Sequence, residues 1–257
     1  MAHLIDVKPL AIDGLVKSFG RARAVDSISL EVGAGTIVGL VGPNGSGKTT
    51  TLRAIVGLVE PDAGRILVNG FEQGTRPARG SIGYVPDEPA GLDELTVAEF
   101  LALHRALYRA RPDTSVRAAR LLGAFGLGAR LPAALGSLSH GLRRQVSIVA
   151  ALALGAPLAV VDEATAALDP EAVIVLREAL RAVASRGSGV LVATQDLNFA
   201  AAVCDRLALL SRGRLVAEGT LASLQSLFGA VSLEEIFLAA LGRHAHLDDL
   251  RRSLEAL

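Results

Sequence analysis

Gly42-Pro43-Asn44-Gly45-Ser46-Gly47-Lys48-Thr49 fits the pattern GxxxxGK[ST] in full. Each residue type has a chemical reason. Glycines let successive backbone N–H groups curl around an anion with no Cβ in the way, forming a nest for phosphate oxygens. Lys48 brings a cation to the β- and γ-phosphates of a nucleotide, and the Thr49 hydroxyl is a hard-oxygen ligand suited to Mg²⁺. A plain Gly-rich turn would look similar, so the flanks decide. Thr36-Ile37-Val38-Gly39-Leu40-Val41 is an unbroken apolar run of the buried-strand type, and Thr49 to Val56 reads as a helix with its N-terminus toward the phosphates. Strand, glycine loop and helix together assign Gly42, Asn44, Gly45, Ser46, Gly47, Lys48, Thr49 and Thr50 to nucleotide binding.

Charge and composition narrow the partners. Lys+Arg 26 against Asp+Glu 26 leaves no formal net charge, which removes the electrostatic case for nucleic acid as a partner. One cysteine, Cys204, excludes an internal disulfide framework and fits a reducing compartment. Residues Met1-Ala2-His3-Leu4-Ile5-Asp6 show no charged region followed by an apolar one, so no secretory signal is expected. Mean hydropathy is high at +0.43, much of it from alanine. The longest uncharged stretch, Val146 to Val161, is broken by Gly155 and Pro157. A membrane span needs about 20 apolar residues in one helix, so this run reads as a buried helix to Leu154 followed by a strand, Leu158 to Val161. No membrane anchor is expected.

The first third of the chain is strand-rich, with apolar or β-branched runs at Leu10–Val16, Ser27–Val32, Thr36–Val41, Arg65–Val68 and Ser81–Val85. Helices fill the middle: a capping box, Thr96 with Glu99, opens one toward Tyr108, Ser115–Phe125 is another, and Ser139 caps a third. Beyond Leu158, strands and helices alternate. Asp169-Pro170 is an N-cap followed by proline at the first helical position, Val190–Ala193 and Arg206–Leu210 are strands, and Arg214–Glu218 extends or edges the sheet. Ser232 with Glu235 is a further capping box, for a helix to Leu241. One composite domain over residues 1–242 follows, with a helical subdomain at approximately 96–155 and a charged helical tail at 243–257. His244 and His246 in that tail lack a third ligand and read as solvated. Cys204 reads as a small buried residue on a helix.

Further segments complete a constellation. Leu138-Ser139-His140-Gly141-Leu142 precedes the strand Leu158-Ala159-Val160-Val161, which enters Asp162-Glu163; Ala166-Ala167-Leu168-Asp169 follows, and later Leu191-Val192-Ala193-Thr194-Gln195-Asp196. At a strand end beside a phosphate loop, Asp162 can hold the Mg²⁺ shell, and Glu163 can orient and deprotonate an attacking water. With these residues in this order, from about Leu10 to Gly242, the chain resembles the ATP-binding subunit of an ABC transporter of the bacterial export type. The resemblance implies an α/β fold: a P-loop NTPase (RecA-like) core, an antiparallel β subdomain and a helical insertion subdomain. It implies an ATPase using ATP and Mg²⁺, in which two copies, or a copy and a related subunit, close head to tail. Ser139 and Gly141 then contact the γ-phosphate held by the partner copy, Phe19 stacks on adenine, and Asp169 lies at the seam. It also implies a separately encoded membrane permease, engaged around Asp87 to Leu95 and Thr96 to Phe125. The place of work is the cytoplasmic face of the inner membrane.

Departures from that pattern matter as much as the matches. Gln195 stands where the family has its switch histidine; an amide can donate to the γ-phosphate but carries no positive charge into the transition state. Asp87 stands where a glutamine is usual, and its carboxylate is a further Mg²⁺ candidate that adds negative charge to an already acidic site. Ala164 replaces a proline after Glu163, and His140 and Leu142 alter the signature. Asp87 with Glu88-Pro89 matches a variant of export-type subunits. The two substituted positions, Asp87 and Gln195, are expected on the same side of the γ-phosphate as a compensating pair. Arg143-Arg144 reads as a solvated helix face or a phosphate or partner contact. The catalytic set expected is Glu163, Gln195 and Lys48, the metal set Thr49, Asp162 and Asp87. The competing reading is an ATP sensor that hydrolyses slowly or not at all, motivated by Gln195.

Overall fold

Alternation sets the first sheet. In β2 (Ala22–Val32), Ile28, Leu30 and Val32 point inward while Ser27, Ser29 and Glu31 point out, the period-two pattern of a strand with one buried face. It pairs antiparallel with β1 (Leu10–Phe19), so the strands expected to end at Val16 and start at Ser27 instead run on as a hairpin that pairs Phe19 with Ala22. A computed structural model of the chain describes residues 7–88, 92–108, 113–163 and 165–242; Pro89, Ala164 and the tail at 243–257, with His244 and His246, lie outside the described residues.

The elements follow in order: β3 (Ile37–Val41), α1 (Lys48–Ile55), β4 (Ala63–Val68), β5 (Phe71–Glu72), α2 (Arg76–Gly80), β6 (Ile82–Val85), α3 (Val97–Leu107), α4 (Thr114–Ala124), α5 (His140–Ala153), β7 (Leu158–Asp162), α6 (Pro170–Ala184), β8 (Gly189–Thr194), α7 (Leu197–Val203), β9 (Arg206–Ser211), β10 (Arg214–Gly219), α8 (Leu221–Phe228) and α9 (Leu233–Ala240). They form a 4-stranded antiparallel sheet, order β2-β1-β4-β5, and a 6-stranded sheet, order β10-β9-β3-β8-β7-β6. Within the larger sheet only the β10 edge is antiparallel. Its central strands β3, β7 and β8 are buried at every position, which is why they read as unbroken apolar runs.

One face of this sheet packs with the antiparallel sheet and α1 around Leu15, Ile28, Leu52 and Val160. The other packs on α5 and α6 through Ile148, Leu176 and Leu180. The inserted helices α3, α4 and α5 have their own core of Val97, Phe100, Leu122 and Val149. Caps explain where the helices start. Thr96 and Glu99 make the reciprocal capping box of α3, and Asp169 accepts from the Ala172 N–H at 2.8 Å ahead of Pro170. At α9 the box is shifted: Ser232 accepts from the Glu235 N–H, while the Glu235 carboxylate accepts from Val231, one residue before the cap.

Thr220 caps α8, a helix the sequence reading passed over. Cys204 is the extended residue closing α7 rather than a residue within a helix; burial pushes its thiol up to about 12, so it stays protonated and inert. Among the described residues no single helix is long and apolar enough to cross a membrane. Only α8 and α9 taken together pass by composition; they are bent by 55° and bury Leu224, Leu233 and Ile236 beside Leu207 and Leu209.

Candidate nucleotide site

Parallel pairing brings the functional loops to one edge. Register aligns Val41 with Thr194, Val85 with Val161, and Asp162 with Ala193. The residues just past those strand ends, Gly42, Asp87, Glu163 and Gln195, therefore line the carboxyl edge of the sheet, where ligands of open α/β sheets bind.

The glycine loop between β3 and α1 is fixed by its own backbone. Gly42 donates to the Thr194 carbonyl at 3.3 Å, and the Ser46 carbonyl accepts from the Gly213 N–H at 2.8 Å. Gly47 is the N-cap of α1, at φ 110° and ψ 2°, and a Cβ there would come within 2.5 Å of the Ala24 carbonyl. Only glycine meets both demands. Behind the loop Lys48 is 5% exposed, and its Nζ donates to the carbonyls of Gly42 at 2.8 Å and Pro43 at 3.3 Å. The same ammonium lies 3.1 Å from Glu163 Oε1. Asn44 and Gly45 are exposed at the tip, while Thr49 and Thr50 are half-buried in the first turn of α1.

Glu163 is held from several sides. Its backbone sits at φ 43°, the left-handed region that non-glycine residues rarely occupy away from functional sites. Its N–H donates to the Ala193 carbonyl at 2.9 Å. Its Oε2 accepts from Thr194 Oγ1 and from the Gln195 N–H, each at 3.2 Å. Thr194 was not anticipated in this role; it was legible only as the last residue of a buried strand. A hollow of about 510 Å³ opens in front of Glu163 and Gln195, with Leu168, Val173 and Ile174 on its wall.

Asp162 is fully buried, and neither carboxylate oxygen has a hydrogen-bond partner. Burial raises its carboxyl to about 6; the nearby Thr49 hydroxyl lowers it in part, and the charges of Asp87 and Glu163 raise it further. An unpartnered buried carboxylate beside a hydroxyl, at the mouth of a phosphate loop, is the donor set of a divalent cation that completes its shell with phosphate and water oxygens. Thr49 and Asp162 therefore fit Mg²⁺. Among the described residues no group of three or more His, Cys, Asp or Glu gathers as a metal cluster.

The Asp87 carboxylate faces Arg144 Nη2 at 3.2 Å, and the Gln195 backbone N–H donates to Glu163 Oε2. Arg144 itself corrects the reading of a solvated helix face: it is 1% exposed, while its neighbour Arg143 is partly exposed and pairs with Asp93. Helical spacing held the signal, since Arg144 shares a strip with Ile148 and Ala151 at i+4 and i+7.

The remaining candidates sit farther out. Ser139 caps α5, accepting from the Leu142 N–H at 3.3 Å. A Cβ on Gly141 would come within 2.5 Å of the Ala167 carbonyl, so a side chain there would force the first turn of α5 off the 165–169 turn. Phe19 is 54% exposed at the end of β1, with Lys17 Nζ 5.6 Å from its ring centroid. An exposed aromatic of this kind suits a stacking surface.

Phosphate loop, acidic strand end and inserted helices define an ATP-binding α/β protein of the P-loop NTPase class. Residues 25–166, more than half of the chain, match the ABC transporter family, and the chain belongs to it. It is 37% identical over 231 residues to the daunorubicin/doxorubicin resistance ATP-binding protein DrrA of Streptomyces peucetius, covering 87% of this chain and 68% of that protein. It is 36% identical over 220 residues to the lipopolysaccharide export system ATP-binding protein LptB of Escherichia coli K12, covering 82% of this chain and 90% of that one. The Nod factor export ATP-binding protein I of Rhizobium sp. N33 is 38% identical over 216 residues, 82% of this chain and 71% of its own.

Among solved structures, an ATP-binding subunit of an ABC transporter superposes with a TM-score of 0.86 at 33% identity, over 90% of this chain and 99% of that one. A nucleotide-free ATP-binding cassette from an ABC transporter shares the fold, with a TM-score of 0.73 at 24% identity over 90% of this chain and 98% of that chain. As a family member the chain is an ATP-binding protein of the ATPase class, and the export-type resemblance agrees with these relatives.

Proposed function

We propose that this chain hydrolyses Mg²⁺·ATP at the seam of a head-to-tail dimer and thereby drives export by a separate membrane permease. The observation that carries the reading is the clamp on Glu163, which sits at positive φ between Lys48 on one oxygen and Thr194 with the Gln195 N–H on the other. Lys48 cannot serve Glu163 and a triphosphate at once. Phosphate binding draws the ammonium forward and frees Glu163 to take a proton from water, so binding and activation of the base are one event. Thr49 and Asp162 would hold Mg²⁺, which would supply positive charge to stabilise the phosphates. Asp87 is a weaker candidate for that shell, because Arg144 engages its carboxylate.

In the dimer Ser139 and Gly141 of one copy face the phosphates bound by the other, at the N-terminus of α5. Phe19 stacks on the base, and Asp169 lies at the seam.

The permease contact is the cavity of about 460 Å³ between the sheet domain and the end of α3, lined by Ile82, Tyr84, Leu107 and Tyr108. Leu58 at 68% and Leu107 at 70% exposure rim it, as an apolar helix of a membrane partner requires. Such a partner holds the chain on the inner face of the membrane. The test is co-purification with a polytopic partner from membranes. Leu107→Asp is expected to abolish capture while leaving the ATPase of the isolated chain intact; capture that survives this change and Tyr108→Ala would overturn the docking assignment.

A further inference from the structure

From Val146 to Ala153, α5 is buried all round, and two residues earlier it buries a guanidinium. Arg144 is the largest fully buried side chain among the described residues. A cation survives there only when paired and hydrogen-bonded. Nη1 donates to the Pro86 carbonyl at 2.9 Å and to the Asp162 carbonyl at 3.2 Å. Nη2 donates to Asp87 Oδ1 at 3.2 Å, and the Nε–H is left without a partner. One side chain in the first turns of α5 thus grips the ends of both β6 and β7.

We propose that Arg144 is a positioning residue for the ATPase reaction, acting by neutralising Asp87 and by tying the Asp162 backbone to α5. The inference rests on the hydrolytic reading of the site given above. Charge carries the first half. Asp162 and Glu163 already bring two carboxylates to the edge that must receive a triphosphate, and an unpaired Asp87 beside them would repel the ligand. A guanidinium on Asp87 removes that repulsion without occupying the phosphate loop. Geometry carries the second half. Ser139, which caps α5, and Arg144 belong to one rigid helix, so any displacement of the inserted helices is transmitted through Arg144 to the backbone of the residue that holds the cation. Lysine would restore the charge opposite Asp87, but its compact ammonium lacks the planar fork that spans carbonyls on two strands.

The test is a cycle of Arg144→Met, Asp87→Asn and the double variant, with Arg144→Lys alongside. Methionine keeps apolar volume in the core, and removing both charges leaves neither Arg144's buried cation nor the half-exposed Asp87 carboxylate unpaired, so the double variant guards against a folding failure. The readouts are kcat and KM, melting of the nucleotide-free protein, and affinity for a fluorescent ATP analogue with Mg²⁺ and with EDTA. Arg144→Met is expected to lower kcat by roughly tenfold or more and to weaken Mg²⁺-dependent nucleotide affinity. Adding Asp87→Asn is expected to restore most of that affinity, but only part of kcat, because the Asp162 carbonyl remains untethered. Arg144→Lys is expected to keep affinity and lose kcat.

If the double variant binds as poorly as Arg144→Met, neutralisation of Asp87 is wrong. If Arg144→Met changes melting alone, the residue is only a core strut and the proposal falls. Should the wild type bind Mg²⁺·ATP yet never hydrolyse it, alone or with its membrane partner, the hydrolytic reading fails instead, and the Mg²⁺-dependent binding cycle still decides for or against Arg144.

Discussion

Replacing Asp162 with asparagine should stabilise the nucleotide-free protein while destroying its Mg²⁺-dependent function. The carboxylate is fully buried, its oxygens are unpartnered, and burial lifts its carboxyl from 3.8 to about 6. An acid raised in this way opposes folding when ionised. Between pH values near 6 and near 3.8 the folded protein holds a proton that the unfolded chain releases, so this group's penalty is fully present above pH 6 and is relieved progressively as pH falls from about 6 to 3.8. A rise of about two pKa units is worth roughly 3 kcal/mol, an upper figure because any water admitted to the site lessens it. For a chain of this size that is about 5–10 °C in melting temperature. Differential scanning calorimetry in EDTA is the assay. Asp162→Asn should melt above wild type at pH 7.5, and the gap should shrink by about half at pH 5, closing only below about pH 3.8, where the unfolded chain is protonated too. Excess Mg²⁺·ATP at pH 7.5 should reverse the order, because only wild type gains binding energy. A variant that melts below wild type by the same margin at both pH values would refute the argument, showing that the carboxylate is compensated in the resting protein.

Lys48→Ala should abolish tight ATP binding, since it removes the cation facing the β- and γ-phosphates; wild-type affinity in equilibrium titration with a labelled analogue would contradict the loop assignment. Glu163→Gln should bind ATP, stop turnover and accumulate as a dimer by light scattering, because an amide keeps the shape but cannot accept the proton; normal hydrolysis in that variant removes Glu163 as the base. Gln195→His should raise the hydrolysis rate about tenfold if a better-stabilised developing charge is worth roughly 1–3 kcal/mol. Since Asp87 is held by Arg144 rather than by Gln195, the gain should be equal in the Asp87→Gln background, and a strong dependence on that background would restore the idea of a compensating pair.

Much of the candidate site's geometry was legible because it is local. A glycine loop between a strand and a helix specifies its own backbone, and Asp162-Glu163 at the end of an apolar run announces a strand entering a polar edge. What was not legible depended on contacts between distant segments. The β1–β2 hairpin outran its apolar pattern because Lys17 to Phe19 are held by cross-strand pairing with Ala22 to Val25, and pairing does not require hydrophobicity at a sheet end. Thr220 and Gly229 are sound start and stop signals for α8, but Ser223 stands where a capping box would have Glu or Gln, the signal that Glu235 supplies ahead of α9. Thr194 and Arg144 were missed for one reason: a polar side chain on a buried element declares its role only through the group it meets, and those groups come from β7 and β6, far away in the chain.

The two substitutions that set this chain apart act through different partners, and this bears on how active it is. Were Asp87 and Gln195 to face each other, the site would hold an extra negative charge and lack the usual switch residue, the composition of a lapsed enzyme. Instead the charge of Asp87 is met by a buried guanidinium from α5, and the visible contact of Gln195 is made by its backbone N–H, which any residue at that position supplies to Glu163. The hold on the base is therefore independent of the histidine-to-glutamine change. Only the side chain's contribution to the γ-phosphate is altered, a loss of charge but not of a donor. On the proposed reading, with Lys48 and Thr49 binding, Asp162 holding the cation and Glu163 taking the proton, that difference is expected to give a slower ATPase rather than a silent one.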